Sequence, residues 1–334
     1  MEPKERSPRA PRSTVRPDPP QASIGRRRFL IGATVTVGAA GVVAGAQVAR
    51  AGGPVEDPES LARRHADDPA MLIDLTRCVG CGRCVRACKV EGGLGWRADQ
   101  PALGPDAELA STNRSIVRAR TVETEVETPL GARRRLAVRY AKVQCMHCLE
   151  PACASACFMR ALRKSDAGPV VYDADRCIVC RYCLVSCPFG IPTFDWDATF
   201  GRVEKCDLCA GRLARGDPPA CAEACPQGAI AFGRRADLLV EAWRRIGEDA
   251  RYVHHVYGEY EAGGTSVLYV SDVPFEAPGF RTSLPAEPLP GSTWAVTRMI
   301  PSTAAGVLTG LTLLYLRRRR YLERERAERE EAGP

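Results

Sequence analysis

Residues 76–89, TRCVGCGRCVRACK, place Cys78, Cys81, Cys84 and Cys88 within eleven residues in the spacing C-x2-C-x2-C-x3-C. The chain repeats this density three more times. Cys145, Cys148, Cys153 and Cys157 lie in CMHCLEPACASAC, and Cys177, Cys180, Cys183 and Cys187 in CIVCRYCLVSCP. Cys206, Cys209, Cys221 and Cys225 lie in CDLCAGRLARGDPPACAEACP. All 16 cysteines fall into four quartets, and each quartet ends in C-x3-C. Three chemistries use thiols at this density. Disulfides suit an even count, but cysteines two residues apart on a tight loop point to a common centre and cannot easily bridge. Zinc usually takes two well-separated C-x2-C knuckles, and His65, His147, His254 and His255 show no zinc-finger spacing. Three cysteines at successive x2 spacing, as in the first and third quartets, crowd one loop around one centre. That suits a cubane iron–sulfur cluster, and a proline after the last cysteine of the third and fourth quartets matches the ending of bacterial ferredoxin runs.

Composition sets the frame. The 334 residues are 45% hydrophobic and 26% charged, which reads as globular and long enough for two domains. The net charge of +7 is concentrated in residues 1–51, which carry +6, so the rest has no basic excess for nucleic acid. Arg26 and Arg27, followed by Arg28-Phe29-Leu30 and a Gly/Ala-rich stretch ending at Ala49-Arg50-Ala51, match a twin-arginine export signal. At the other end, 18 residues without a charge run from Met299 to Leu316, followed by Arg317–Arg320. The expectation is one membrane-crossing helix with its arginines on the cytoplasmic side, the preceding body on the periplasmic side of a bacterial inner membrane, and a charged tail at 317–334.

The order of the quartets, with CRYCLVSCPFGIPTFDWDATFGRVEKCDLC joining the third to the fourth, resembles the four-cluster iron–sulfur subunits of formate dehydrogenase, dimethyl sulfoxide reductase and hydrogenase-2 systems. The resemblance covers roughly Ile73 to Val273, and the segment GEYEAGGTSVLYVSDVPFE is most like the hydrogenase-2 subunit. It implies four [4Fe–4S] clusters with crossed ligation. Cys78, Cys81, Cys84 and Cys225 would hold the first, and Cys206, Cys209, Cys221 and Cys88 the second. Cys145, Cys148, Cys153 and Cys187 would hold the third, and Cys177, Cys180, Cys183 and Cys157 the fourth. One departure is Phe158, where proline is common after the last cysteine.

The expected fold is α+β: two ferredoxin-like dicluster modules, a C-terminal extension and a single transmembrane helix. Residues 71–138 and 202–232 form one module around an inserted module at 139–201, with a partner-facing extension and linker at 233–293 and the membrane helix at 299–316. Short β-prone runs flank the cysteine loops at Met71–Asp74, Val170–Tyr172 and Ala229–Phe232. SIVRARTVETEVE and RRRLAVRYAKVQ, either side of Pro129–Ala132, read as a hairpin leading into Cys145. Ala236–Ile246 has apolar residues at helical spacing. Arg83, Arg86, Lys142, Arg181 and Lys205 lie beside the cysteines, and Lys205 is the first candidate for tuning a cluster. His147 reads as a surface or loop residue.

No nucleotide fingerprint, nucleophile elbow or open metal position is present, so no catalytic residue is assigned. The expected role is an electron relay. Its partners would be a catalytic subunit, either a nickel–iron hydrogenase or a formate dehydrogenase, and a multi-helix quinone-reactive membrane subunit. A zinc-dependent structural or assembly protein is the alternative of a different class.

Overall fold

The computed structural model describes residues 57–128, 131–199 and 201–333. In chain order the first elements are α1 (Pro58–Arg64), β1 (Pro69–Asp74), α2 (Arg83–Glu91), β2 (Leu103–Gly104), β3 (Ser115–Thr128) and β4 (Gly131–Gln144). Next come α3 (Ala152–Ser155), β5 (Leu162–Lys164), β6 (Val170–Tyr172), α4 (Tyr182–Ser186), β7 (Thr193–Phe194) and β8 (Val203–Glu204). The last are α5 (Ala210–Leu213), α6 (Ala220–Glu223), β9 (Ile230–Arg234), α7 (Arg235–Glu248), β10 (Val267–Val270) and α8 (Pro290–Glu331).

Strand β1 is buried from Ala70 to Asp74 because it has a neighbour on each edge and a packed layer on each face. β9 pairs with it antiparallel and β10 parallel, giving the order β10-β1-β9. Side chains alternate across such a sheet. Met71, Ile73, Val267 and Tyr269 enter one core, and Ala70, Leu72, Leu268 and Val270 enter the other. The second core is closed by Leu238, Ala242 and Ile246 of α7, one apolar stripe at four-residue spacing. The first core holds Cys84, Val85, Leu208 and Cys221, so the sheet carries a helix on one face and cysteine loops on the other.

Strands β3 and β4 form the expected hairpin, in register from Ser115↔Gln144 to Thr128↔Gly131. Its end delivers Cys145 directly from β4. The inserted segment uses two small ribbons, β5–β6 and β7–β8, around a separate core of Cys153, Leu162, Val170, Cys183, Phe194 and Val203.

Three expectations change. First, residues 233–293 are not only an extension and linker: Val267–Val270 are fully buried in this chain's own sheet, and Phe275 is in its core. Second, the single transmembrane helix at 299–316 is withdrawn. Those residues lie in α8, a helix of 42 residues, and among the described residues no helix is long and apolar enough to cross a membrane. The charge-free run has the length of a short span, but its composition is mixed. Seven of its residues are Pro301, Ser302, Thr303, Gly306, Thr309, Gly310 and Thr312, and Arg317 closes it. The membrane-anchored periplasmic placement and the orientation built on that helix are withdrawn with it. The twin-arginine segment at 1–51 lies outside the described residues. Third, His147 is not a surface residue, as its surroundings below make plain.

Candidate metal centre

Each cysteine loop starts from a rigid element. Asp74, at the end of β1, accepts hydrogen bonds from Thr76 N at 2.9 Å, Thr76 Oγ1 at 2.6 Å, Tyr252 Oη at 2.7 Å and Arg245 Nη1 at 3.1 Å. This buried carboxylate fixes the turn that presents Cys78. Two residues after the first cysteine of every quartet the backbone turns left-handed: Gly80, His147, Val179 and Leu208 have φ of 69°, 49°, 61° and 59°. Only Gly80 adopts this without steric cost; a β-branched Val179 there is an outlier. The turn aims an amide at sulfur. Val179 N donates to Cys177 Sγ and Leu208 N to Cys206 Sγ, both at 3.4 Å, and Gly80 N donates to Cys78. Such donors favour the thiolate, as cluster ligation requires.

The structure brings distant cysteines together. One cavity of about 400 Å³, including the space at its mouth, is lined by Cys78, Cys81, Cys84 and Cys225, with Lys142 in its wall. A second, of about 630 Å³, is lined by Cys88, Cys206, Cys209 and Cys221. Cys148 lies within electrostatic reach of Cys187, Cys153 and Cys145, and Cys183 within reach of Cys157, Cys177 and Cys180. Adjacent groups touch electrostatically through Cys84 and Cys221, Cys206 and Cys145, and Cys153 and Cys183. Only Cys81 and Cys180 are exposed; the other fourteen are buried or half-buried.

Chemistry follows from burial. Cys84, Cys183 and Cys209 are pushed up to about 11, first by burial and then by neighbouring thiols. Cys148 and Cys206 are raised further for the same reasons. Thiols held this high stay protonated at neutral pH unless a bound cation draws the proton off, so loading of iron releases protons. Among the described residues, no group of three or more His, Cys, Asp or Glu is placed to hold a single metal ion. Zinc gathers four ligands on one point with Zn–S bonds of ≈ 2.3 Å. The first two thiol groups here instead line the walls of two cavities.

Buried polar atoms without partners fit the same reading. Lys142 Nζ has no hydrogen-bond partner among the described residues. Burial pulls its ammonium down, but the sulfurs of Cys221, Cys84, Cys206 and Cys88 outweigh that and hold it above its ordinary value. His147 is fully buried; Nδ1 accepts from Val170 N at 3.0 Å, which leaves its proton on Nε2, and Nε2 has no partner. Burial, and then Lys205, Lys164 and Lys142, keep this ring neutral, far below its usual range. Lys205 donates to the carbonyls of Val170 and Cys206 at 2.5 and 2.8 Å, so it is already satisfied. Arg83, Arg86 and Arg181 are exposed, and Arg181 stacks on Phe194 and Trp196. His254 stacks against Trp243, and His255 pairs with Glu261 at 2.7 Å.

A 4Fe-4S dicluster domain model matches residues 136–235, and a 4Fe-4S binding domain model matches residues 69–90. A protein of Nitratidesulfovibrio vulgaris is 38% identical over 308 residues, covering 91% of this chain and 80% of that one. The hydrogenase-2 operon protein HybA of Escherichia coli O157:H7 is 36% identical over 241 residues, 62% of this chain and 70% of HybA. The chain belongs to this family of iron–sulfur subunits. The iron–sulfur subunit of the nitrate-inducible formate dehydrogenase of Escherichia coli K12 is 34% identical over 218 residues, 64% of this chain and 71% of that one. As a member of the family, the chain binds [4Fe–4S] clusters and acts as an electron-transfer subunit.

Proposed function

We propose that the chain holds four [4Fe–4S] clusters and relays electrons between a nickel–iron hydrogenase catalytic subunit and a quinone-reactive membrane subunit. The ligand sets are Cys78, Cys81, Cys84 and Cys225; Cys206, Cys209, Cys221 and Cys88; Cys145, Cys148, Cys153 and Cys187; and Cys177, Cys180, Cys183 and Cys157. The observation that carries this reading is the row of four thiol groups, each built across two quartets and each adjacent to the next. Bound clusters supply one-electron transfer without bond-making. The chain's own residues do the rest. The left-handed turns aim amides at sulfur, and every cysteine of the two middle groups is buried or half-buried. The exposure of Cys81 and Cys180, in the outermost groups, supports electron entry and exit at those two points.

The hydrogenase is favoured as catalytic partner because HybA matches at a slightly higher identity than the formate dehydrogenase subunits. The test is to isolate the native complex anaerobically through a tag on the full chain, then supply hydrogen or formate. Hydrogen should bleach the visible cluster absorbance. Bleaching by formate alone would assign the chain to a formate dehydrogenase, and bleaching by neither would remove both partners while leaving the relay. Colourless protein with stoichiometric zinc would instead favour a zinc-dependent structural protein.

A further inference from the structure

Tyr140, Lys142 and Gln144 follow one another along β4 at the two-residue period that puts side chains on one face of a strand. That face lies across the first two thiol groups. A Cβ on Gly80 would meet the Tyr140 ring at 2.4 Å, Lys142 lines the first cavity, and Gln144 lines the second. Lys142 is 1% exposed. The Cys84 thiol of the first group lines the same cavity, and the thiols of Cys88, Cys206 and Cys221 from the second lie within electrostatic reach. The strand is pinned at this point by Tyr269, whose hydroxyl donates to the Lys142 carbonyl at 2.9 Å.

The other buried lysines are spent on the backbone. Lys89 Nζ donates to the carbonyls of Gly95 and Thr112 at 2.7 Å each, and Lys205 donates to those of Val170 and Cys206. Lys142 Nζ has no such partner among the described residues. An unpaired buried ammonium carries a heavy desolvation penalty and is retained only where an anion offsets it. Thiolate-ligated clusters on both sides would be that anion.

We propose that Lys142 is a potential-setting residue: its ammonium holds one positive charge between the first and second groups and raises the reduction potential of the clusters in both. The proposal rests on the cluster reading above. Reduction adds one electron, and one negative charge, to a site that faces this cation, so the reduced state is favoured. The electron comes from the neighbouring site or a partner; Lys142 keeps its proton, and no bond forms or breaks.

The experiment is a potentiometric titration of the full chain, followed by paramagnetic resonance, for wild type and Lys142→Met. In the variant, two of the reduced-cluster signals should move to lower potential by at least a tenfold change in equilibrium constant, ~59 mV for one electron. The remaining signals should stay, with iron content unchanged. Unchanged potentials in a fully loaded variant would overturn the proposal. If Lys142→Met fails to load, Lys142→Gln and Lys142→Arg decide. Loading by the Arg variant alone supports a need for charge; failure of all three, or loading by Gln but not Arg, makes side-chain volume the requirement and overturns it. Wild type without iron would instead mark failure of the cluster reading itself.

Discussion

Gly80 shows how much of a cysteine loop is decided by residues other than cysteine. Its φ of +69° is one that side chains adopt only at a cost, and a Cβ would sit 2.4 Å from the Tyr140 ring. Gly80→Ala should therefore cost about 1–2 kcal/mol in backbone conformation alone, plus the displacement of Tyr140. Roughly a quarter of the bound iron should be lost, all from the group containing Cys78. Full iron content with an unchanged spectrum would contradict the account of this turn. Cys225→Ser should harm the same group, although Cys225 belongs to the last quartet; damage confined to the Cys206 group would reject the crossed ligand sets.

His255 and Glu261 give a pH-dependent pair. The Glu261 hydrogen bond raises His255 above 6.5, against desolvation. That contribution is complete below the unfolded value and fades as pH rises through the higher folded value. Burial pushes the Glu261 carboxyl up, but His255 and the Gly258 amide outweigh it and leave it below 4.5, so its contribution fades only in acid. Exchange of the Gly258 amide, which donates to Glu261 at 2.6 Å, should accelerate above pH 6.5 beyond its intrinsic rate. A flat protection factor across that range would show that the pair does not hold this turn. At this scale the cysteines were legible, because spacing alone carries their chemistry. The left-handed positions were not, since glycine, histidine, valine and leucine share no side-chain signal. The burial of His147 is hidden for a related reason: a loop residue is ordinarily exposed, and nothing local announces that β6 covers it.

Among the elements, the β3–β4 hairpin and α7 were readable because both carry their own periodicity. Strand β10 was not. Its four residues VLYV lie in a segment read from its resemblance as partner-facing, and parallel pairing with β1 joins residues 71–74 to residues 267–270, which no local pattern connects. Packing makes β10 a stability element. Leu268 is fully buried between α7 and the sheet, so Leu268→Ala should cost about 2–5 kcal/mol. Val240 on the outer face of α7 is 70% exposed, and Val240→Ala should stay within about 0.5 kcal/mol. Thermal melts of the two loaded variants check the contrast; equal melting temperatures would deny β10 its place in the core. Helix α8 failed the opposite way. Its charge-free run looked like a span when counted, but glycine and hydroxyl residues dilute its apolar content.

Across the whole molecule, four quartets that are separate in sequence become four thiol groups in space, each mixing two quartets. The cysteines of the middle groups are buried or half-buried and the outer groups each expose one, the arrangement a wire needs at its ends. Iron and acid-labile sulfide, measured on the full chain purified anaerobically and paired with the reduced-state resonance spectrum, test the central claim. The expected result is about sixteen irons per chain, matching sulfide, and signals broadened by coupling between neighbouring clusters. Iron near eight in folded, fully reconstituted protein, or zinc with no labile sulfide, would contradict it.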